Sequence, residues 1–151
     1  MDLILWRHAD AEDGTPDAER KLTAKGVKQA KTVAKWLKAR LPDDTRIIVS
    51  PAKRALQTVE ALGTEFEVMT ELGTSGSPAS LLAAIGWPEH TGSVMVVGHQ
   101  PTLGETAALL MSGRQQQWEL KKGAIIWLAG EKQRDAIPSV RLRAAISSDL
   151  L

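Results

Sequence analysis

The chain has no cysteine, no tyrosine and a single phenylalanine. Without thiols there is no disulfide framework and no thiolate metal site, and a reducing compartment is the natural setting. Few aromatic side chains leave little surface for stacking on bases. Long apolar runs are also missing. The longest uncharged stretch, Leu72 to Pro88, is broken by Gly, Ser and Pro and does not read as a membrane span. Met1 leads straight into Asp2, with no basic-then-apolar leader, so the chain reads as cytoplasmic. Nor is there an excess of either charge: 19 Lys and Arg stand against 18 Asp and Glu, which speaks against indiscriminate nucleic-acid binding.

What is present fits one ordinary globular domain over residues 1–151, since 43% of the residues are hydrophobic and the length suits a single core. The balanced total hides an asymmetry. Between Arg20 and Arg54 there are 11 basic residues and only two acidic ones, Asp43 and Asp44. That segment favours anions. Its lysines are either a solvated helix face or a docking surface for an acidic protein partner.

Leu3 to Trp6 reads as a buried strand, followed by a polar loop from His8 to about Arg20. Thr23 caps an expected helix to about Leu41, with Val27, Ala30, Ala34, Leu37 and Leu41 as its apolar stripe. Arg46 to Val49 reads as a strand, and Ser50-Pro51 as a cap-plus-proline helix start, with Gly63 as the stop. Phe66 to Met69 suggests a short strand, Ser77-Pro78 another helix start, and Ser93 to Val97 a third buried strand. Thr102 and Glu105 form an expected capping box for a helix ending near Gly113. Two strands follow, Ala124 to Leu128 and Ser139 to Ala145, the last alternating Val140, Leu142 and Ala144. His90 falls in a turn and reads as structural or surface. The expected fold is a three-layer α/β/α arrangement with a mostly parallel sheet and an antiparallel edge.

Three strand ends carry residues suited to an oxyanion. The first strand runs into Arg7-His8, the second into Ser50-Pro51 with Arg54 just beyond, and the third into Gly98-His99. Parallel strands would gather these at one sheet edge, where helix N-termini add donors and partial positive charge. Two arginines and two imidazoles then allow one neutral ring to attack phosphorus while the guanidinium groups stabilise the oxygens. A metallohydrolase reading of His8-Ala9-Asp10 lacks the second His-Asp cluster it needs.

These stretches resemble the histidine phosphatase superfamily, the phosphoglycerate-mutase-like group, and within it the short SixA-type phosphohistidine phosphatases. The matching pieces are Leu5 to Ala11 around Arg7-His8, Glu19 to Thr23 with Gly26, Ser50 to Thr58, and Val97 to Pro101. The resemblance implies His8 as nucleophile, Arg7 and Arg54 as a phosphate clamp, and His99 as the second imidazole. It implies a phosphate or substrate contact for Arg20, and places Glu71 where larger members carry a general acid. It implies a phosphatase that needs no metal or cofactor and passes through a phosphohistidine intermediate. Its substrate would be phosphohistidine on a protein partner. The alternatives are a small phosphorylated metabolite, or phosphate binding without turnover. Two departures stand out: Ala9 replaces the usual glycine, and Ala11 stands where mutases often carry a hydroxyl. Both departures, and the lack of longer insertions, favour a small phosphatase over a mutase.

Overall fold

A computed structural model describes residues 1–89, 91–131 and 139–151. His90 lies outside the described residues. Among these residues the chain forms six strands and four α-helices. The strands are β1 (Asp2–Arg7), β2 (Arg46–Val49), β3 (Glu67–Val68), β4 (Ser93–Gly98), β5 (Ile125–Glu131) and β6 (Ser139–Ile146). The helices are α1 (Ala24–Lys38), α2 (Lys53–Glu60), α3 (Pro78–Ile85) and α4 (Thr102–Ser112). No described helix is long and apolar enough to cross a membrane.

The sheet order is β3-β2-β4-β1-β5-β6. Pairings are parallel from β3 through β1 and antiparallel from β1 through β6. Strand alternation then divides the core in two. Leu3 and Leu5 of β1, with Val94 and Val96 of β4, face Leu81, Ile85, Leu103 and Ala107 of α3 and α4. Ile4, Trp6, Met95 and Val97 face Val33, Leu37, Ala55 and Val59 of α1 and α2. The three-layer arrangement follows from that alternation, since both faces of β1 and β4 are apolar and each needs a helix pair over it.

Several local expectations are corrected. Thr23 does cap α1, its side chain accepting from the Gly26 N–H at 3.0 Å, but the helix stops at Lys38. Its buried stripe is Gly26, Ala30, Val33, Ala34 and Leu37, and Val27 is exposed. The shift has a cause. The Asp10 backbone crosses Gly26 so closely that a β-carbon there would collide with its carbonyl, so the face carrying Gly26 is the packed one. Ser50 does not cap α2, which starts at Lys53 after Ala52. Thr102 and Glu105 form no capping box: Thr102 donates to the Gly76 carbonyl, and Glu105 accepts from Gln115. In β6, Leu142 is exposed, and a register shift opposite Trp127 and Leu128 puts Ala144 out of phase with Val140 and Leu142. Arg143 takes up the irregularity, lying over the Trp127 ring and bonding Asp2 at 2.6 Å.

Candidate active site

The parallel strands end in register. Arg7 pairs with Gly98, and Trp6 and Val49 both pair with Val97. One further step extends the ladder: His8 N–H donates to the Gly98 carbonyl, and Ser50 N–H to Val97, each at 3.0 Å. His8, Ser50 and His99 therefore leave the sheet side by side. The two imidazole rings lie 5.2 Å apart between centroids.

They line a cup of about 290 Å³ with Arg7, Ala11, Arg20, Arg54, Thr74, Gln100 and Lys122. Five of the six residues expected from sequence are thus brought together. Glu71 is not among them. It sits exposed in the short helical turn Thr70–Leu72, while Thr74, three residues on, reaches the lining.

Each wall is held by identifiable bonds. His8 Nδ1 lies 2.8 Å from the Ala9 carbonyl, which can only accept, so Nδ1 carries the proton and Nε2 keeps its lone pair. Ala9 is in turn fixed by its N–H donating to Thr58 Oγ1 at 3.0 Å, and that hydroxyl donates to the Arg54 carbonyl. The loop beyond is fastened by Gln29 accepting from Asp10 N–H, by Gln57 accepting from Leu22 N–H, and by an isolated bridge between Ala11 and Leu22.

Arg7 donates to the Leu120 carbonyl at 2.6 Å. The strap carrying Leu120 lies across α4, where Gln100 spans both sides, donating to the Trp118 carbonyl at 2.8 Å and accepting from Gly104 N–H at 2.7 Å. A β-carbon at Gly104 would strike the Trp118 carbonyl, so only glycine lets the strap come this close.

Arg54 is almost fully buried and meets Asp17 twice: Nη1 donates to its carbonyl at 2.9 Å and Nη2 to its carboxylate at 3.0 Å. The same carboxylate takes Arg20 Nε at 3.0 Å. Asp17 is itself 59% exposed, so the pair leaves no carboxylate buried in the cup. Arg54 holds the Asp17 carboxyl below its ordinary range, chiefly through the hydrogen bond. Nε of Arg7 and Nε of Arg54 are buried without hydrogen-bond partners among the described residues.

Electrostatics keep both rings uncharged. Burial, reinforced by His99, Arg54 and Arg7, pushes the His8 pKa down to about 3, against a smaller upward push from the Ala9 hydrogen bond. His99 is pushed down to about 4, first by burial and then by Arg54. A neutral imidazole among guanidinium groups can act as a nucleophile toward an anion. Among the described residues no group of three or more His, Asp or Glu side chains is placed to hold a metal ion.

Sequence reasoning missed Ser50, Thr58, Asp17, Thr74, Gln100 and Lys122. Thr58 lies within the stretch already marked by Arg54, and Gln100 follows His99 directly. Lys122 carried no signal, because the segment before β5 has neither a motif nor a helix start.

A parallel sheet edge that presents paired imidazoles and arginines defines a phosphoryl-handling protein. A family model described as "Histidine phosphatase superfamily (branch 1)" matches residues 3–74. The phosphohistidine phosphatase SixA of Escherichia coli (strain K12) is 35% identical over 123 residues, covering 75% of this chain and 76% of that protein. The SixA homolog of Haemophilus influenzae is 31% identical over 131 residues, covering 76% and 79%. A solved structure of the protein histidine phosphatase SixA complexed with tungstate matches at a TM-score of 0.84 and 28% identity, over 99% of each chain. The chain belongs to the histidine phosphatase superfamily, and it is a phosphatase of the phosphoglycerate-mutase-like fold.

Proposed function

We propose that the chain hydrolyses phosphohistidine carried on a protein, through a phosphorylated His8 and with no cofactor. The observation that carries this reading is the composition of the cup: four cations and two neutral imidazoles line it, and among the described residues no carboxylate does. An alcohol leaves phosphorus poorly unless an acid protonates it. Glu71 would have to reach in from its exposed turn to serve an ester. A phosphohistidine makes no such demand.

The proton balance explains why. The substrate ring carries its phosphoryl group on one nitrogen and a proton on the other. His8 Nε2 attacks, the new phosphorus–nitrogen bond forms as the old one breaks, and the substrate leaves as neutral imidazole. Phospho-His8 keeps its Nδ1 proton on the Ala9 carbonyl, so neither ring gains or loses a proton in the transfer. Water then attacks phosphorus, releasing dihydrogen phosphate and returning the electron pair to Nε2. Arg7 and Arg54 hold the phosphoryl oxygens throughout, His99 supports them, and Arg20 contacts substrate or phosphate at the rim.

The SixA relatives are named as phosphohistidine phosphatases, which supports the same substrate class. We also read residues 1–151 as one domain working in the cytoplasm, with the lysines of α1 facing an acidic protein partner. The test compares a phosphohistidine peptide with p-nitrophenyl phosphate and phosphoserine, using wild type and His8→Ala. Wild type should turn over the phosphohistidine peptide best and form an acid-labile, alkali-stable phosphoenzyme. His8→Ala should lose at least about 10³-fold in kcat/KM. Turnover that survives His8→Ala overturns the mechanism. A preference for phosphoserine or small esters favours a metabolite phosphomonoesterase, and binding without turnover of any substrate favours a phosphate-binding module.

A further inference from the structure

Ser50 is fully buried, and its Oγ lies 2.7 Å from Nε2 of His99, itself only 4% exposed. The same oxygen accepts the Ala52 N–H at 3.2 Å. Nδ1 of His99 has no hydrogen-bond partner among the described residues, yet the ring lines the cup. These contacts decide where the ring's one proton sits.

A neutral imidazole has one N–H and one lone pair. If Nε2 held the proton, Ser50 Oγ would accept two hydrogen bonds while its own buried proton found no acceptor among the described residues. Nδ1 would then hold a buried lone pair with no donor among the described residues, and an anion in the cup, which itself carries only lone pairs, could supply none. If Ser50 donates to Nε2, both Ser50 groups are satisfied, since Oγ accepts from Ala52 and gives its proton to the ring, and the one group left over is an Nδ1–H that an anion in the cup would satisfy.

We propose that Ser50 is a positioning residue that locks His99 as the Nδ1–H tautomer, making it a hydrogen-bond donor to the phosphoryl group. The proposal rests on the phosphatase reading and adds a division of labour to it. Both catalytic rings carry their proton on Nδ1, but they are anchored from opposite nitrogens. His8 is tied by Nδ1–H to Ala9 and offers a lone pair, whereas His99 is tied at Nε2 by Ser50 and offers an N–H.

Long-range ¹H–¹⁵N spectra of the imidazoles test this directly in the wild-type protein at pH 7, with signals assigned through His8→Asn and His99→Asn. His99 should show a protonated Nδ1 and a lone-pair Nε2, and inorganic phosphate should perturb its Nδ1–H. In Ser50→Ala the His99 signals should move toward the Nε2–H form. Its kcat/KM for p-nitrophenyl phosphate should fall about tenfold, and Ser50→Thr should recover part of that loss. A protonated Nε2 on wild-type His99 overturns the proposal without needing any variant to fold. So does an unchanged tautomer in Ser50→Ala. A wild-type protein with the expected tautomer but no turnover would instead count against the phosphatase reading alone.

Discussion

The parallel half of the sheet and its reversed half meet at β1, and they serve the site differently. From β1, β2 and β4 the chain emerges at the same edge, so His8, Ser50 and His99 need only one step beyond register to become neighbours. β5 runs the other way, with Ile125 opposite Trp6. The segment that leads into β5 therefore lies beside the strand exits of the parallel half. That segment supplies the Leu120 carbonyl to Arg7 and the Lys122 ammonium to the rim. On the proposed mechanism one half provides the reacting groups and the other braces and edges them, and this division predicts how variants should rank.

The steepest loss beyond the proposed nucleophile should come from Arg54, which α2 presents from the parallel half. Arg54→Ala should lower kcat/KM by about 10²- to 10³-fold, because a preorganised donor to the developing charge is removed. Arg54→Lys should recover only part of this, since an ammonium cannot fork across two oxygens. Stability should change little from loss of the ion pair itself, because the Asp17 carboxylate left behind is already solvated. Steady-state kinetics beside a denaturation curve separates the two effects, and an activity loss below about threefold would contradict the assigned clamp.

The buried rings give the parallel half a pH signature. Each imidazole binds its proton more weakly in the folded protein, His8 at about 3 and His99 at about 4 against an ordinary 6.5. Below the ordinary value the unfolded chain takes up more protons, so stability rises with pH and is lost as pH falls from about 6.5 toward the folded values. At pH 5 the loss should be about 2 kcal/mol for each ring. Asp10, Asp17 and Asp149 have lowered values, and their stabilising contributions are lost only as pH falls through and below 3.8. The interval from pH 7 to pH 5 is therefore theirs to spare. Urea unfolding across that interval should show a clear drop for wild type and a smaller one for His8→Asn. Equal drops would mean that His8 titrates normally.

The same division shows what could be read from the chain alone. The strand exits were legible because Arg7-His8, Arg54 and Gly98-His99 each follow a short apolar run, and a parallel sheet leaves such exits only one edge to share. The strap was not legible. Its place depends on Gly104 admitting the Trp118 carbonyl, and on Gln100 bonding both sides, contacts between residues far apart in sequence and free of local pattern. Ser50 was misread for a related reason. A serine before proline is a good cap in isolation, but here its hydroxyl is taken by His99, a partner 49 residues away. Val27 and Ala144 were placed by periodicity alone, and in each case a backbone event reset the phase: the Asp10 crossing at Gly26 and the register shift in β6.

The smallest effect should belong to Lys122, among the described residues the reversed half's only ionic contribution to the cup lining. Its side chain is 47% exposed and its ammonium is already paired with Asp10 at 3.0 Å, and Asp10 is pinned independently by Thr23 at 2.7 Å. Removing Lys122 therefore leaves the loop fastened and takes away only a screened charge at the rim. Lys122→Ala should raise KM about two- to fivefold at low ionic strength and leave kcat unchanged, because a solvated cation attracts the substrate anion equally before and during the reaction. The KM difference should shrink as salt is added. If kcat fell as steeply as in Arg54→Ala, Lys122 would be stabilising the transition state, and the line between the reacting half and the bracing half would have to be redrawn through the strap.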